Sequence, residues 1–199
     1  MTASSRLVHG CKVAALLASL ACAPVPALAQ AQATVNVTGD AIQMCTLGQP
    51  EQGTGALTNF DTPSGTVFAI TSLTDAETLS TRAANITLSM AAMCNTLHRV
   101  VIASDNNGLW RSGPGSTPGG FGSAVPYRAN LIWADQEYEL TADSDQRLQV
   151  EEQMLVGRPN MGEMLIEFRI NAGATNAGVG APLLSGEYSD VLRITVESQ

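Results

Sequence analysis

The last stretch of this 199-residue chain, residues 186–197, constrains the fold most. Apolar side chains recur there at alternate positions, and the opposite positions are mostly polar, with Val191 as the exception. This period of two is typical of a strand that has one face in a core and the other in water. We predict that the inward face carries Tyr188, Leu192, Ile194 and Val196. A buried strand needs neighbours on both sides, and we expect no downstream segment to supply the second one, because two residues follow.

The first 29 residues match the pattern of an export signal. A basic start precedes an apolar run, residues 13–23, which is too short to span a bilayer, and the small residues 27 and 29 precede a cleavage site before Gln30. A buried N-terminal helix is one alternative, although two prolines interrupt it. A lipoprotein signal that ends at Cys22 is another, with a poor match to the usual sequence. We expect residues 1–29 to be removed on export.

The 170 residues that remain are enough for one domain with its own core. The whole chain has a formal net charge of −8, and the loss of Arg6 and Lys12 lowers this charge to −10. The eight basic residues left are dispersed arginines. An acidic chain without a basic patch disfavours nucleic acids and anionic membranes as partners. We also predict no membrane span after removal of the signal, because no other apolar run is long enough.

Two cysteines remain after the signal is removed, Cys45 and Cys94. In an oxidising compartment, an even pair is most simply one disulfide. Cys94 lies on the apolar face of a predicted strand, so it should point inward. The alternative is a metal site that also uses His98, the one histidine of the exported chain. A closed zinc site needs four ligands, which disfavours this alternative, and we predict no metal.

The rest of the exported chain consists of short alternating segments separated by glycine, proline, serine and asparagine. This pattern predicts an all-β sandwich or barrel. The strongest strand candidates are residues 33–41, 86–94, 99–104, 127–134 and 164–170. Glycine and proline predict that residues 108–126 and 171–182 are long surface loops. Within the first loop, we expect Trp110 and Phe121 either to be exposed contact residues or to fold back as loop anchors.

The sequence offers little material for catalysis. One histidine and the lack of a nucleophile motif argue against a Ser/His/Asp or Cys/His site, so we predict that the protein is not an enzyme and has no cofactor. A run of acids is an alternative site for calcium, although its spacing matches no calcium loop and favours a solvated surface. These acids are Asp135, Glu137, Glu139, Asp143, Asp145, Glu151 and Glu152.

Five features in this order resemble the spore coat protein U domain, which occurs in subunits of archaic chaperone–usher pili. They are Cys45, residues 55–60, Cys94, residues 127–135 and residues 186–190. The last of them, a G-x-Y-x-D motif that leads into a closing apolar strand, is the most specific. The resemblance covers most of the exported chain.

The resemblance implies an incomplete immunoglobulin-like β-sandwich over residues 43–199, preceded by an N-terminal extension over residues 30–42. Subunits of this family lack their final strand, and a partner fills the open groove by strand addition. The implied partners are a periplasmic chaperone, an outer-membrane usher and neighbouring subunits of the same or another kind. The implied location is the periplasm in transit and then an extracellular fibre for adhesion or biofilm formation. Along the groove, the resemblance and the alternation together place Tyr188, Leu192, Ile194 and Val196.

The N-terminal extension has the alternation expected of a donor strand. One face carries small or apolar residues, namely Ala33, Val35, Val37, Gly39 and Ala41. Gly39 would allow close approach to the host backbone. A strand that merely begins the sandwich would show the same pattern. The alternative function is therefore a secreted or periplasmic binding protein, for carbohydrate or calcium, whose own N-terminal strand fills its groove.

Overall fold

The computed structural model describes residues 33–61, 65–113 and 116–199, and the predicted export signal lies outside these residues. The described chain is all-β, which confirms the predicted fold class. Its strands are β1 (Cys45–Leu47), β2 (Glu51–Thr58), β3 (Ala84–Cys94), β4 (His98–Ser104), β5 (Leu109–Arg111), β6 (Ala124–Val125), β7 (Tyr127–Trp133), β8 (Gln136–Ala142), β9 (Val150–Val156), β10 (Asn160–Ile170), β11 (Tyr188–Ser189) and β12 (Leu192–Ser198). Residues 41–199 form one compact unit. Among the described residues, no helix is long and apolar enough to cross a membrane.

The larger sheet has β3 and β10 at its centre. Its order is β1-β3-β10-β7-β8. β2 pairs with the same edge of β3 as β1 does, but with an earlier part of that strand. All of these pairs are antiparallel. The two central strands have eleven residues each, and residues 84–90 of β3 and 164–170 of β10 alternate apolar and polar residues, with Leu165 as the exception. In their register, Ile166 lies opposite Leu88, and both side chains are buried.

The second sheet has the order β12-β4-β9 and is also antiparallel. Its central strand β4 is strongly apolar, since Val100 and Ile102 are 1% and 2% exposed. These side chains belong to the same core cluster as those of the larger sheet, so the two sheets pack face to face as a sandwich. The largest fully buried core residues are Ile86, Ile102, Leu131, Leu140, Met154, Met164, Ile166 and Ile170.

A third, small sheet lies where the sequence predicted a long surface loop. Its order is β11-β5-β6, and β5 and β6 are the two ends of residues 108–126. The prediction of a surface excursion over this whole range is wrong at its ends, because Ala124 and Val125 are fully buried. Short strands with glycine-rich surroundings give too little periodicity to be recognised from sequence.

The two aromatic residues of this region differ in exposure. Trp110 is half-buried, and its indole N–H donates to the carbonyl of Asn106 over 2.6 Å, so it is a loop anchor. Phe121 is 39% exposed. Of the two alternatives left open by the sequence, Trp110 fits the loop anchor and Phe121 stays exposed, although Val179 and Met161 are more exposed than either.

Candidate functional site

The last strand, β12, lies at an edge of its sheet. Among the described residues its one ladder partner is β4, in the register Leu192 opposite Ser104 to Ser198 opposite His98. The inward side chains predicted from the alternation are Leu192, Ile194 and Val196. All three are half-buried and pack against the core, whereas the side chains between them are exposed. The core is therefore covered incompletely along this strand.

The backbone groups of β12 alternate between β4 and the open edge. At its two ends, Asp105 N–H donates to the Val191 carbonyl over 3.0 Å, and Gln199 N–H donates to the Leu97 carbonyl over 2.9 Å. In an antiparallel ladder, every second residue bonds the partner strand and the residues between point their backbone groups away from it. The odd residues therefore bond β4. The N–H and C=O groups of Leu192, Ile194 and Val196 point to the free edge.

The edge of the larger sheet that β1 and β2 form lies opposite the free edge of β12. β1 lies near β12 without a ladder between them. β2 contains a bulge, because residues 53–56 have no register partner and Gly55 approaches the Thr87 side chain. Leu47 and Phe60 are partly buried and pack against the core on this side. Partly buried apolar side chains of both sheet edges thus border this part of the core.

Asp190 fixes the start of β12. Its carboxylate accepts hydrogen bonds from Ser104 Oγ (2.5 Å), the Tyr127 hydroxyl (2.7 Å), the Asn106 N–H and side-chain amide (3.0 Å each) and the Val191 N–H (2.8 Å). Burial, and then the negative charge of Asp190, raise the pKa of the Tyr127 hydroxyl. This network joins β12 to the end of β4 and the start of β7.

The same network divides the closing stretch, which the sequence predicted as one strand. That prediction is wrong at residues 190–191, where β11 ends before β12 begins. Tyr188 therefore pairs with Arg111 in the small sheet instead of lining the edge of β12. Its hydroxyl donates to the Leu184 carbonyl over 2.8 Å, which resembles the tyrosine corner of immunoglobulin-like domains.

Each position of the G-x-Y-x-D motif has a structural reason. Gly186 has a φ of 151°, and a Cβ there would lie 2.9 Å from the Arg111 side chain. Tyr188 closes the corner, and Asp190 accepts hydrogen bonds from Ser104, Asn106 and Tyr127. The roles of the glycine and the aspartate were missed in the sequence, although the motif itself was recognised there.

The disulfide between Cys45 and Cys94 is confirmed. The two residues are direct ladder partners of β1 and β3, and Cys94 is 2% exposed, as its strand position predicted. The bond ties the first strand of the domain to the centre of the larger sheet.

The predicted donor residues lie at the start of the described chain. None of Ala33, Val35, Val37, Gly39 and Ala41 lies in a strand. All are exposed, Val35 and Val37 by 82% and 90%. The strand predicted for residues 33–41 is thus not formed within the chain. Whether these residues act as a donor stays a prediction.

His98 has a structural environment that the sequence did not indicate. It is 1% exposed, its Nε2 accepts from the Trp133 indole over 3.0 Å, and its Nδ1 lies 3.0 Å from the Thr96 carbonyl. The indole can only donate, so Nε2 is unprotonated and Nδ1 carries the proton. In the described part of the chain, no three His, Cys, Asp or Glu residues come together to form a metal site.

The predicted acidic run is distributed over exposed strand and loop positions. Asp135 pairs with Arg158 over 2.6 Å, and Glu139 pairs with Arg128 over 3.4 Å. The strongest candidate site is the open edge of β12, where half-buried apolar side chains lie beside backbone groups that have no ladder partner among the described residues. No protein-family model matches this sequence, and a comparison with curated proteins finds no match either.

Proposed function

We propose that this protein is an exported structural subunit of a surface fibre of the chaperone–usher type. In this proposal, the N-terminal extension of one copy adds as a strand to the open edge of β12 in the next copy. One observation carries the proposal: Leu192, Ile194 and Val196 present half-buried apolar side chains at an edge where their backbone groups have no ladder partner among the described residues. The resemblance to the spore coat protein U domain family supports it independently.

The energetics of this edge favour an added strand. Backbone donors and acceptors beside a core need partners, and a bare apolar edge invites association. Each large apolar side chain contributes roughly 1.5–3 kcal/mol when it becomes fully buried. A lone subunit therefore has a reason to need a periplasmic chaperone, and an outer-membrane usher would exchange that chaperone for the next subunit. This is strand addition, in which main-chain hydrogen bonds give affinity and side-chain pockets give specificity.

The chemistry of the extension fits such an edge. Residues 33–41 place small and β-branched side chains on one face, and they carry a single charge, at Asp40 on the other face. Val35 and Val37 would fill pockets between the sheets, while Gly39 would pass closest to the host strand. These residues are exposed. They are therefore accessible to a partner.

A peptide experiment tests this function directly. The exported chain is prepared without Gln30–Thr38, and a synthetic peptide of residues 33–41 is added. At one hundred times its dissociation constant, the peptide should raise the unfolding temperature by roughly 5–10 °C, because binding stabilises the folded domain by about 2.7 kcal/mol. The matched control is the same peptide with Val37→Asp, which should produce no rise. Equal effects of the two peptides, or no effect of either, would contradict strand addition.

An experiment in cells tests the assembly. Val37→Asp in the whole chain should abolish fibres while the complex with the chaperone persists, because the acceptor groove is unchanged. If this variant forms fibres normally, the extension is not the donor. If the monomer collapses without residues 30–38, the extension serves its own domain, as in the self-complemented binding protein.

A further inference from the structure

Asn95, in the turn between β3 and β4, holds the root of the N-terminal extension. Its backbone N–H donates to the Met44 carbonyl over 3.2 Å. Its side chain accepts from the Met44 N–H over 2.8 Å and donates to the Ile42 carbonyl over 2.8 Å. One residue thus binds three backbone groups of residues 42–44.

These hydrogen bonds prolong β1 beyond the end of its partner strand. The last ladder pair is Cys45 opposite Cys94, and the same register places Met44 opposite Asn95. β3 ends there, so the Asn95 side chain takes the place of the missing backbone as far as Ile42. Residues 42–44 therefore continue β1 in line. Burial does not hold them, because Ile42 is 78% exposed and Met44 is 43% exposed.

The same turn lies beside the end of β12. Gln199 N–H donates to the Leu97 carbonyl, two residues beyond Asn95. The root of the extension and one end of the open edge are therefore close. A tethered strand has a high effective concentration, so insertion of the extension into its own domain competes with insertion into a second copy.

Insertion into the same domain requires the chain to reverse direction before β1. A hairpin connection takes two to five residues, and residues 41–44 are the ones available. Asn95 holds the backbone of most of these residues in line with β1. We propose that Asn95 is a positioning residue that keeps the extension out of its own groove and so directs it to a second copy. This inference rests on the proposed function.

The test compares exported wild-type protein with Asn95→Ala, Asn95→Asp and the control Asn160→Ala. Asn160 lies opposite Cys94 at the same end of the sheet, and its side chain has no hydrogen bond to a described residue. Asn95 is exposed, so its replacement leaves the core intact. Size-exclusion chromatography gives the share of free monomer. Thermal unfolding of that monomer, with and without residues 30–38, shows whether its own extension stabilises it.

Wild type and Asn160→Ala should give fibres or chaperone complexes with little free monomer. Asn95→Ala should raise the free monomer about tenfold, because two side-chain hydrogen bonds to the root are lost. Deletion of residues 30–38 should then lower the unfolding temperature of this monomer. Asn95→Asp should lie between, because it keeps the acceptor for Met44 N–H and loses the donor to Ile42.

Three outcomes would overturn the inference, and they differ in what they say of the proposed function. If wild type and Asn95→Ala assemble equally well, the positioning role of Asn95 is wrong, and the proposed function as a fibre subunit is not contradicted. If wild type itself is a monomer that its own extension stabilises, both are wrong. A free Asn95→Ala monomer that unfolds at the same temperature without its extension would also overturn the positioning role.

Discussion

The two strands that flank β4 place different kinds of side chain beside the same core residue. β9 and β12 are both edge strands, and both contribute a residue beside Ile102. On the β12 side this residue is Ile194, which is half-buried. On the β9 side it is Glu152, which is exposed although its register faces the core. Further along β9, Met154 is 1% exposed.

The difference indicates which edge is protected and which is available. An inward-pointing charge on an edge strand discourages pairing with another chain. β9 has such a charge at Glu152, and its inward side chains Met154 and Val156 are buried. β12 has neither protection, since its inward residues are apolar and half-buried. This difference supports the proposal that a partner strand adds to β12.

The largest expected effect tests the border of the open edge. Replacement of both Cys45 and Cys94 by serine frees β1, which lies beside β12. The bond closes a loop whose ends are 49 positions apart, so its loss should lower the free energy of unfolding by about 4 kcal/mol in the chain-entropy model. Denaturant unfolding and the yield of purified protein measure this. An unchanged midpoint would show that the bond does not maintain this border.

Ile194→Asp should remove the property that distinguishes β12 from β9. The variant places an unpaired charge on the half-buried face, and it should lower the free energy of unfolding by about 3 kcal/mol and prevent strand addition. Thermal unfolding and binding of the peptide of residues 33–41 are the measurements. The matched control is Thr195→Asp on the exposed face of the same strand. If the two variants behave alike, the inward face of β12 is not a binding face.

Asp190→Asn tests whether the hydrogen-bond network at the start of β12 stabilises this strand in particular. The charged acceptor of five hydrogen bonds is lost, which should cost about 2 kcal/mol. Hydrogen exchange at the amides of residues 191–193 should increase, while exchange in β9 stays the same. Equal increases in both strands would mean that the network stabilises the whole sandwich and has no special role for β12.

Tyr127→Phe should change the response to alkaline pH. The pKa of the Tyr127 hydroxyl is raised in the folded protein, so its contribution is fully present below the ordinary value of 10.0 and is lost as the pH rises through the folded pKa. The variant should be about 1 kcal/mol less stable at neutral pH, because the bond to Asp190 is absent. The free energy of unfolding of both proteins is measured from neutral pH to above pH 10.0, and the difference between them should become smaller as the pH rises. A constant difference would contradict the role of the buried hydroxyl.

Glu152→Ile should have the smallest effect on stability and the clearest effect on association. The side chain is exposed, so the free energy of unfolding should change by no more than about 0.5 kcal/mol. Without its charge, β9 becomes similar to β12, and the purified protein should associate in a concentration-dependent way. Light scattering measures this against Glu151→Ile, the exposed neighbour on the outer face. Equal association of the two variants would show that the inward charge gives no protection.

The sequence by itself determined the faces of the strands and the disulfide. Alternation reports which side chains share a face, because the period of two is local, and it correctly placed Ile194, Cys94 and Ile166 inward. If the predicted export signal is removed, Cys45 and Cys94 are the two cysteines that remain, and they leave one pairing. The all-β class followed from many such short segments. These are properties of neighbouring residues, so they can be recognised without the fold.

The tertiary structure alone decided which strand lies beside which. Alternation cannot show that Glu152 and Ile194 flank the same Ile102, because these residues are far apart in the chain and meet through β4. It cannot show that Asp190 breaks the closing strand, since the donors that hold it come from other segments. Nor can it show that Asn95 forms hydrogen bonds with Ile42 and Met44, which are about fifty positions away in the chain. Strand pairing and side-chain hydrogen bonds are long-range, and they form only when the whole sandwich brings these positions together.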